Sequence, residues 1–199
     1  MQTEKEKAAA GLIYDANNDP ELQQEMLQTR QKLHTYNQLG PEQTTKRDEL
    51  IQSILHLGKN SCIISPFYCD YGYHIHIGDN FFANTNLLIL DGADVTIGNN
   101  VFIAPGVGIY TAGHPLDVAR RNQGLEYAYP ITIGNNVWIG AQCVILPGVT
   151  IGDNSVIAAG SVVNRDIPSG VLAAGNPCKV IREIDQEAEA RRTNYKPRK

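Results

Sequence analysis

Apolar residues recur at every sixth position over long stretches of the chain: Ile133, Ile139, Ile145, Ile151, Ile157 and Val163, with an earlier run at Ile97, Ile103 and Ile109. On an α-helix six residues turn by about 600°, so these positions would spiral around the axis and share no face. A single strand would keep them on one side, but the 31 residues from Ile133 to Val163 would then reach roughly 100 Å, too long for a compact domain. The intervening text breaks strands at a fixed interval. Gly98-Asn99-Asn100, Gly134-Asn135-Asn136, Pro147-Gly148 and Gly152-Asp153-Asn154 are turn formers that tolerate positive φ. The pattern therefore predicts a mainly β hexapeptide solenoid. Three short strands make each turn of about 18 residues, and turns stack at about 4.8 Å. Val101, Val107, Val137, Cys143, Val149, Ser155 and Ser161, two residues before the next ladder position or its equivalent, are small or β-branched and fill the rest of the interior.

The first 57 residues follow a different pattern and read as a helical cap. Asp19-Pro20-Glu21 is a helix start, with Asp19 as N-cap and Pro20 where its missing N–H costs nothing. Leu22, Met26 and Leu33 then fall on roughly one face. A second helix is predicted from Pro41 or Glu42 to Leu57, stopped by Gly58. From about Ser61 the text turns β-like, and the coil runs to about Ile167 within a domain spanning 58–184. The beat is lost once at length, between Ile109 and Ile133, which predicts an excursion loop over 113–130. Residues 185–199 read as a charged tail, a frayed helix or disordered.

Composition narrows the function without naming it. With 199 residues and a net charge of −4, the chain has no basic stripe suited to nucleic acid. Cys62, Cys69, Cys143 and Cys178 form no CxxC pair and read as free thiols of a reducing compartment. No apolar run approaches the roughly 20 residues of a membrane span, so a cytoplasmic setting is expected.

Candidate chemistry gathers where the repeat fails. His114, in Tyr110-Thr111-Ala112-Gly113-His114-Pro115, sits where a rigid rung gives way to the loop, well sited for a base near pH 7. Glu126, near the loop's return, could fold back to hold one imidazole nitrogen and fix its tautomer. Taken singly, each could equally be an ordinary surface residue. His74 and His76 share one face of a strand and could form a metal pair, but no two histidines are five apart as in a γ-type carbonic anhydrase built on such a coil, so packing or solvent contact is the expected role and no metal is expected. The repeat alone leaves acyltransferase, sugar-nucleotide enzyme, carbonic anhydrase and scaffold open.

The helical cap, Asp-Tyr-Gly-Tyr-His-Ile-His-Ile-Gly at 70–78, Phe-Ala-Asn at 82–84, Thr-Ala-Gly-His-Pro at 111–115 and Gly-Asn-Pro-Cys-Lys-Val-Ile-Arg at 175–182 together resemble the maltose and galactoside O-acetyltransferases. The resemblance covers about residues 4 to 184. It implies a left-handed parallel β-helix, with the hand taken from the family, and a homotrimer whose sites lie between subunits. It further implies that His114 deprotonates a sugar hydroxyl as that oxygen attacks acetyl-CoA, with no acyl-enzyme and with oxyanion donors near Ala141. Ala141, Ala159, Asn164, Arg165, Lys179 and Arg182 are the implied acetyl-CoA contacts. Asn164-Arg165 stands where the family more often has Thr-Lys, and Lys179 where some members have arginine. Asn84, Asp91, Asp70 and Asp15 are the implied acceptor contacts, although Asn84 and Asp91 could instead be turn residues of the coil. Two rival readings stay open: an acetyltransferase for an antibiotic or amine, and a non-catalytic scaffold.

Overall fold

The computed structural model describes residues 2–195. Its body is a three-faced parallel coil. The first face stacks His56–Leu57, Ile75–Ile77, Val95–Ile97, Ile131–Ile133 and Thr150–Ile151. The second stacks Cys62–Ile63, Phe82–Ala83, Phe102–Ile103, Trp138–Ile139, Val156–Ile157 and Val171–Ala174, and Lys179–Glu183 folds back antiparallel to close its end. Phe67–Cys69, Leu87–Leu90, Gly108–Tyr110, Val144–Ile145 and Val162–Val163 make the third.

The six-residue ladder becomes three interior columns, one per face. Ile77, Ile97, Ile133 and Ile151 pair in register on the first face. Ile103, Ile139 and Ile157 do so on the second, and Ile109, Ile145 and Val163 on the third. All of these are buried, as are the seven smaller slots from Val101 to Ser161. The turns are held by stacked asparagines: Asn60, Asn80, Asn100, Asn136 and Asn154 take φ of 54–59°, a left-handed region that asparagine tolerates. Their side-chain amides run as a hydrogen-bonded ladder from rung to rung. Glycine just before these turns permits the close stacking, since a Cβ on Gly98 would lie 2.8 Å from the Gly134 backbone.

Three helices, α1 (Glu4–Ala9), α2 (Pro20–Gln38) and α3 (Thr44–Gln52), cap the first rungs. The Asp19 carboxylate accepts the Leu22 N–H at 3.0 Å, and Leu22, Met26 and Leu33 are buried together with Thr29 and Tyr36. The cap ends earlier than the sequence suggests. α3 stops at Gln52, and His56–Leu57 already pair with His76–Ile77 as the first strand of the coil. Gly58 is therefore a rung glycine packed on Gly78 and not a helix stop. The excursion is itself ordered: Ala112–Gly113 pair antiparallel with Tyr127–Ala128, and α4 (Val118–Asn122) lies between them. In the tail, α5 (Gln186–Ala190) is a single short helix, and residues 196–199 lie outside the described residues. Among the described residues no helix is long and apolar enough to cross a membrane.

Candidate functional site

His114 leaves the coil at the corner where the third face turns into the first, directly after the Ala112–Gly113 strand. Its Nδ1 lies 2.9 Å from the main-chain oxygen of Leu125 across the hairpin. A carbonyl only accepts, so this contact places the proton on Nδ1 and leaves the Nε2 lone pair free to take a proton. The sequence reading had Glu126 in that orienting role. Glu126 instead pairs through its main chain with Tyr14 of the cap, and its carboxylate accepts from the Tyr14 hydroxyl and the Asn17 amide, each at 3.3 Å. The bridge to Tyr14 turns the Glu126 side chain toward the cap, so the neighbouring carbonyl meets the imidazole.

Beside His114 lies a cavity of about 400 Å³ walled by the cap, the hairpin and the third-face corner. His114, Glu126, Asp70, Tyr14 and Tyr71 line it, with Arg30 of α2. Burial, reinforced by the nearby charges of Asp91 and Glu126 and opposed by Arg30, pushes the Asp70 carboxyl from an ordinary 3.8 up to about 7. Burial also raises Tyr14 and Tyr71 well above the usual phenol range, so both remain neutral hydrogen-bonding groups. The Tyr71 hydroxyl is buried without a partner among the described residues.

Two of the acceptor candidates are committed to the fold. The Asp91 carboxylate is wholly buried and accepts the N–H groups of Asp70, Tyr71 and Gly72 at 2.9, 3.0 and 2.6 Å. Burial raises its pKa, and the three amides partly offset that. It is a loop-organising residue that aims Asp70 and Tyr71, not a group left free for an acceptor. Asp15 accepts from the Asn18 backbone and side chain, and its neighbours Tyr14 and Asn17 line the cavity in its place. Asn84 lies at the other end of the third-face strand, at the corner between second and third faces, where its side-chain oxygen accepts the Thr85 N–H at 2.8 Å.

The cofactor candidates are spread over the coil. Ala141 and Ala159 stack at the corner between the second and third faces, where Gly160 N–H donates to the Ala141 carbonyl. Asn164 and Arg165 are exposed at the corner between third and first faces. Lys179 and Arg182 lie on the returning strand of the second face. Arg182 reaches Glu189 of α5 at 2.9 Å. A single copy thus holds His114 and Ala141 at opposite edges of the third face.

Among the described residues no cluster of three His, Cys, Asp or Glu side chains is placed to hold a metal ion. His74 is held by the Asp91 carbonyl, and His76 stacks on His56 with ring centroids 4.7 Å apart.

Residues 130–165 match the family described as Bacterial transferase hexapeptide (six repeats), and residues 7–58 match the Maltose acetyltransferase hexapeptide capping motif. An acetyltransferase-family protein of Saccharomyces cerevisiae is 61% identical over 192 residues, covering 96% of this chain and 97% of its own length. The galactoside O-acetyltransferase of Escherichia coli (strain K12) is 51% identical over 165 residues, 82% of this chain and 81% of that one. The chain belongs to the hexapeptide-repeat acetyltransferases. It is an acetyltransferase of the galactoside and maltose O-acetyltransferase type. A solved galactoside acetyltransferase in complex with coenzyme A superposes over 100% of both chains with a TM-score of 0.93 at 44% identity. The coil of this acetyltransferase is accordingly the left-handed parallel β-helix of that family.

Sequence reasoning singled out His114 as a candidate because the repeat breaks there. It missed the Leu125 carbonyl, which carries no side-chain signal, and it missed Tyr14, Tyr71 and Arg30, which reach the cavity only once the cap has folded back.

Proposed function

We propose that this acetyltransferase moves the acetyl group of acetyl-CoA to a hydroxyl of a sugar, with His114 as general base. The observation that carries the reading is the Leu125 carbonyl on His114 Nδ1, which supplies the tautomer a base needs at the mouth of a polar cavity. The acceptor oxygen attacks the thioester carbonyl as Nε2 takes its proton. The tetrahedral intermediate then collapses, the C–S bond breaks, and the imidazolium returns the proton to the departing thiolate of coenzyme A. No covalent enzyme intermediate is required. The Ala141 N–H is the main-chain donor for the oxyanion, its neighbours at Gly140 and Gln142 being bonded to the Ile157 and Pro105 carbonyls, while Arg165, Lys179 and Arg182 are the cations for the cofactor's phosphates.

The same reading makes the enzyme a homotrimer with sites shared between copies. Two observations favour it. His114 and the Ala141 corner lie at opposite edges of one face, so a neighbouring copy is needed to bring a base and a cofactor cleft together, and Asn84 would reach the acceptor in the same way. In addition, the outward positions of the second face are Cys62, Phe82, Phe102, Trp138, Val156 and Leu172 in register. Phe102 and Trp138 are each 54% exposed, whereas the first face shows His56, His76, Thr96, Thr132 and Thr150 to solvent. An apolar ladder of this length asks for a protein cover. A cytoplasmic setting belongs to the reading too, supported by four cysteines that are all unpaired.

Screening sugars, aminosugars, amines and antibiotics for acceptor-dependent thiol release from acetyl-CoA tests the acceptor class. Release that requires a sugar hydroxyl supports the proposal; turnover with amines alone, or with no acceptor tried, defeats it.

A further inference from the structure

The cavity beside His114 has a neighbour that the reaction described above does not use. A cleft of about 700 Å³ runs between α2 and the third face, and the two spaces share Arg30 and Asp70 as common walls. Arg30, His34 and Gln38 are spaced four residues apart on α2 and so follow one flank of the helix, beside the buried side that carries Leu33 and Tyr36. All three line the cleft. Opposite them stands Tyr68, whose ring is half exposed on the third face. Guanidinium, imidazole and amide groups facing an exposed aromatic ring suit one class of ligand well, a sugar, whose hydroxyls take the polar groups while its C–H face lies on the ring.

Arg30 and Asp70, the walls common to the two spaces, do not satisfy one another. The Asp70 carboxylate accepts no hydrogen bond from the described residues, and Arg30 makes a single side-chain contact, to Met26 Sδ at 3.4 Å. No ion pair joins them. A pair of neighbouring hydroxyls placed between them could donate to the carboxylate and accept from the guanidinium.

We propose that this cleft is a second acceptor subsite, which holds the sugar unit next to the one being acetylated, with Arg30 and Asp70 gripping the junction. It makes the acetyltransferase selective for di- and oligosaccharides over single sugars. The inference rests on the cavity at His114 being where the acetylated unit sits.

The test compares kcat/KM for glucose with maltose and for galactose with lactose. The subsite predicts a preference of about tenfold or more for at least one disaccharide over its monosaccharide. Tyr68→Ala and Gln38→Ala should each cut that preference about fivefold, through KM for the disaccharide and not through kcat. A wild-type ratio near one for both pairs overturns the subsite, as does a preference that neither variant moves. That failure is distinct from failure of the underlying reading, which shows as a His114→Ala enzyme of undiminished kcat on every acceptor.

Discussion

Replacing Asp70 with asparagine should make the enzyme more stable, and by an amount that depends on pH. In the folded chain the Asp70 carboxyl titrates near 7, against an ordinary value of 3.8, because it is largely buried and faces Asp91 and Glu126 with only Arg30 in opposition. Between those two values the folded state holds a proton that the unfolded state has released. Unfolding then lowers the number of bound protons, so stability falls as pH rises from about 4 to about 7 and is flat above. At about 1.4 kcal/mol per pH unit the span is worth at most about 4 kcal/mol. Water at the cavity mouth screens part of it, and about 2 kcal/mol is a working value. Asparagine keeps the shape and removes the charge. Urea unfolding of wild type and Asp70→Asn at one protein concentration, at pH 5 and pH 8, isolates this group because the other carboxylates cancel in the difference. Since pH 5 to pH 8 spans only about two thirds of that window, the variant should gain about 1 kcal/mol on the wild type between the two. The same difference at both pH values would refute the reasoning, as would an Asp70 carboxyl resonance that titrates near 4.

Other consequences of the structure can be checked separately. Asp91→Ala leaves two buried N–H groups and one half-buried one without an acceptor and should cost about 3 kcal/mol or more, read as a lower urea midpoint; a change within about 0.5 kcal/mol would mean that the loop at 70–72 does not depend on it. Gly98→Ala puts a methyl 2.8 Å from the next rung and should destabilise by about 1–3 kcal/mol through forced rung separation, visible as a drop in Tm. Phe102→Lys places a charge in the exposed apolar ladder of the second face. It should reduce the molar mass seen by light scattering from that of a trimer to that of one chain and abolish turnover with it. A monomer that still acetylates would defeat the shared site.

The coil was legible because its physics is local and repetitive: each ladder residue, from Ile97 to Val163, has only one way to be buried beside a turn that must take positive φ. The place of the candidate site was legible for the complementary reason, since the proposed base His114 stands where that constraint lapses. The partners of His114 were not legible. A main-chain carbonyl such as that of Leu125 has no residue type to betray it, and the choice between it and Glu126 is made by which neighbour Tyr14 pairs with, 112 residues earlier. The acidic candidates show the same limit. Asp70 and Asp91 look alike in the text, but one caps three amides in the interior while the other lines the cavity, a distinction set by how the corner closes under α2. Asp15 was displaced by Tyr14 and Asn17 because its own carboxylate is taken by Asn18.

The role of His114 as base is tested most directly by the kcat of a His114→Ala enzyme at saturating acetyl-CoA and acceptor, alongside its calorimetric affinity for acetyl-CoA. A general base accounts for about 10²–10⁴-fold in rate, so kcat should fall by that factor while the affinity for acetyl-CoA is retained. A variant that turns over at the wild-type rate would contradict the account.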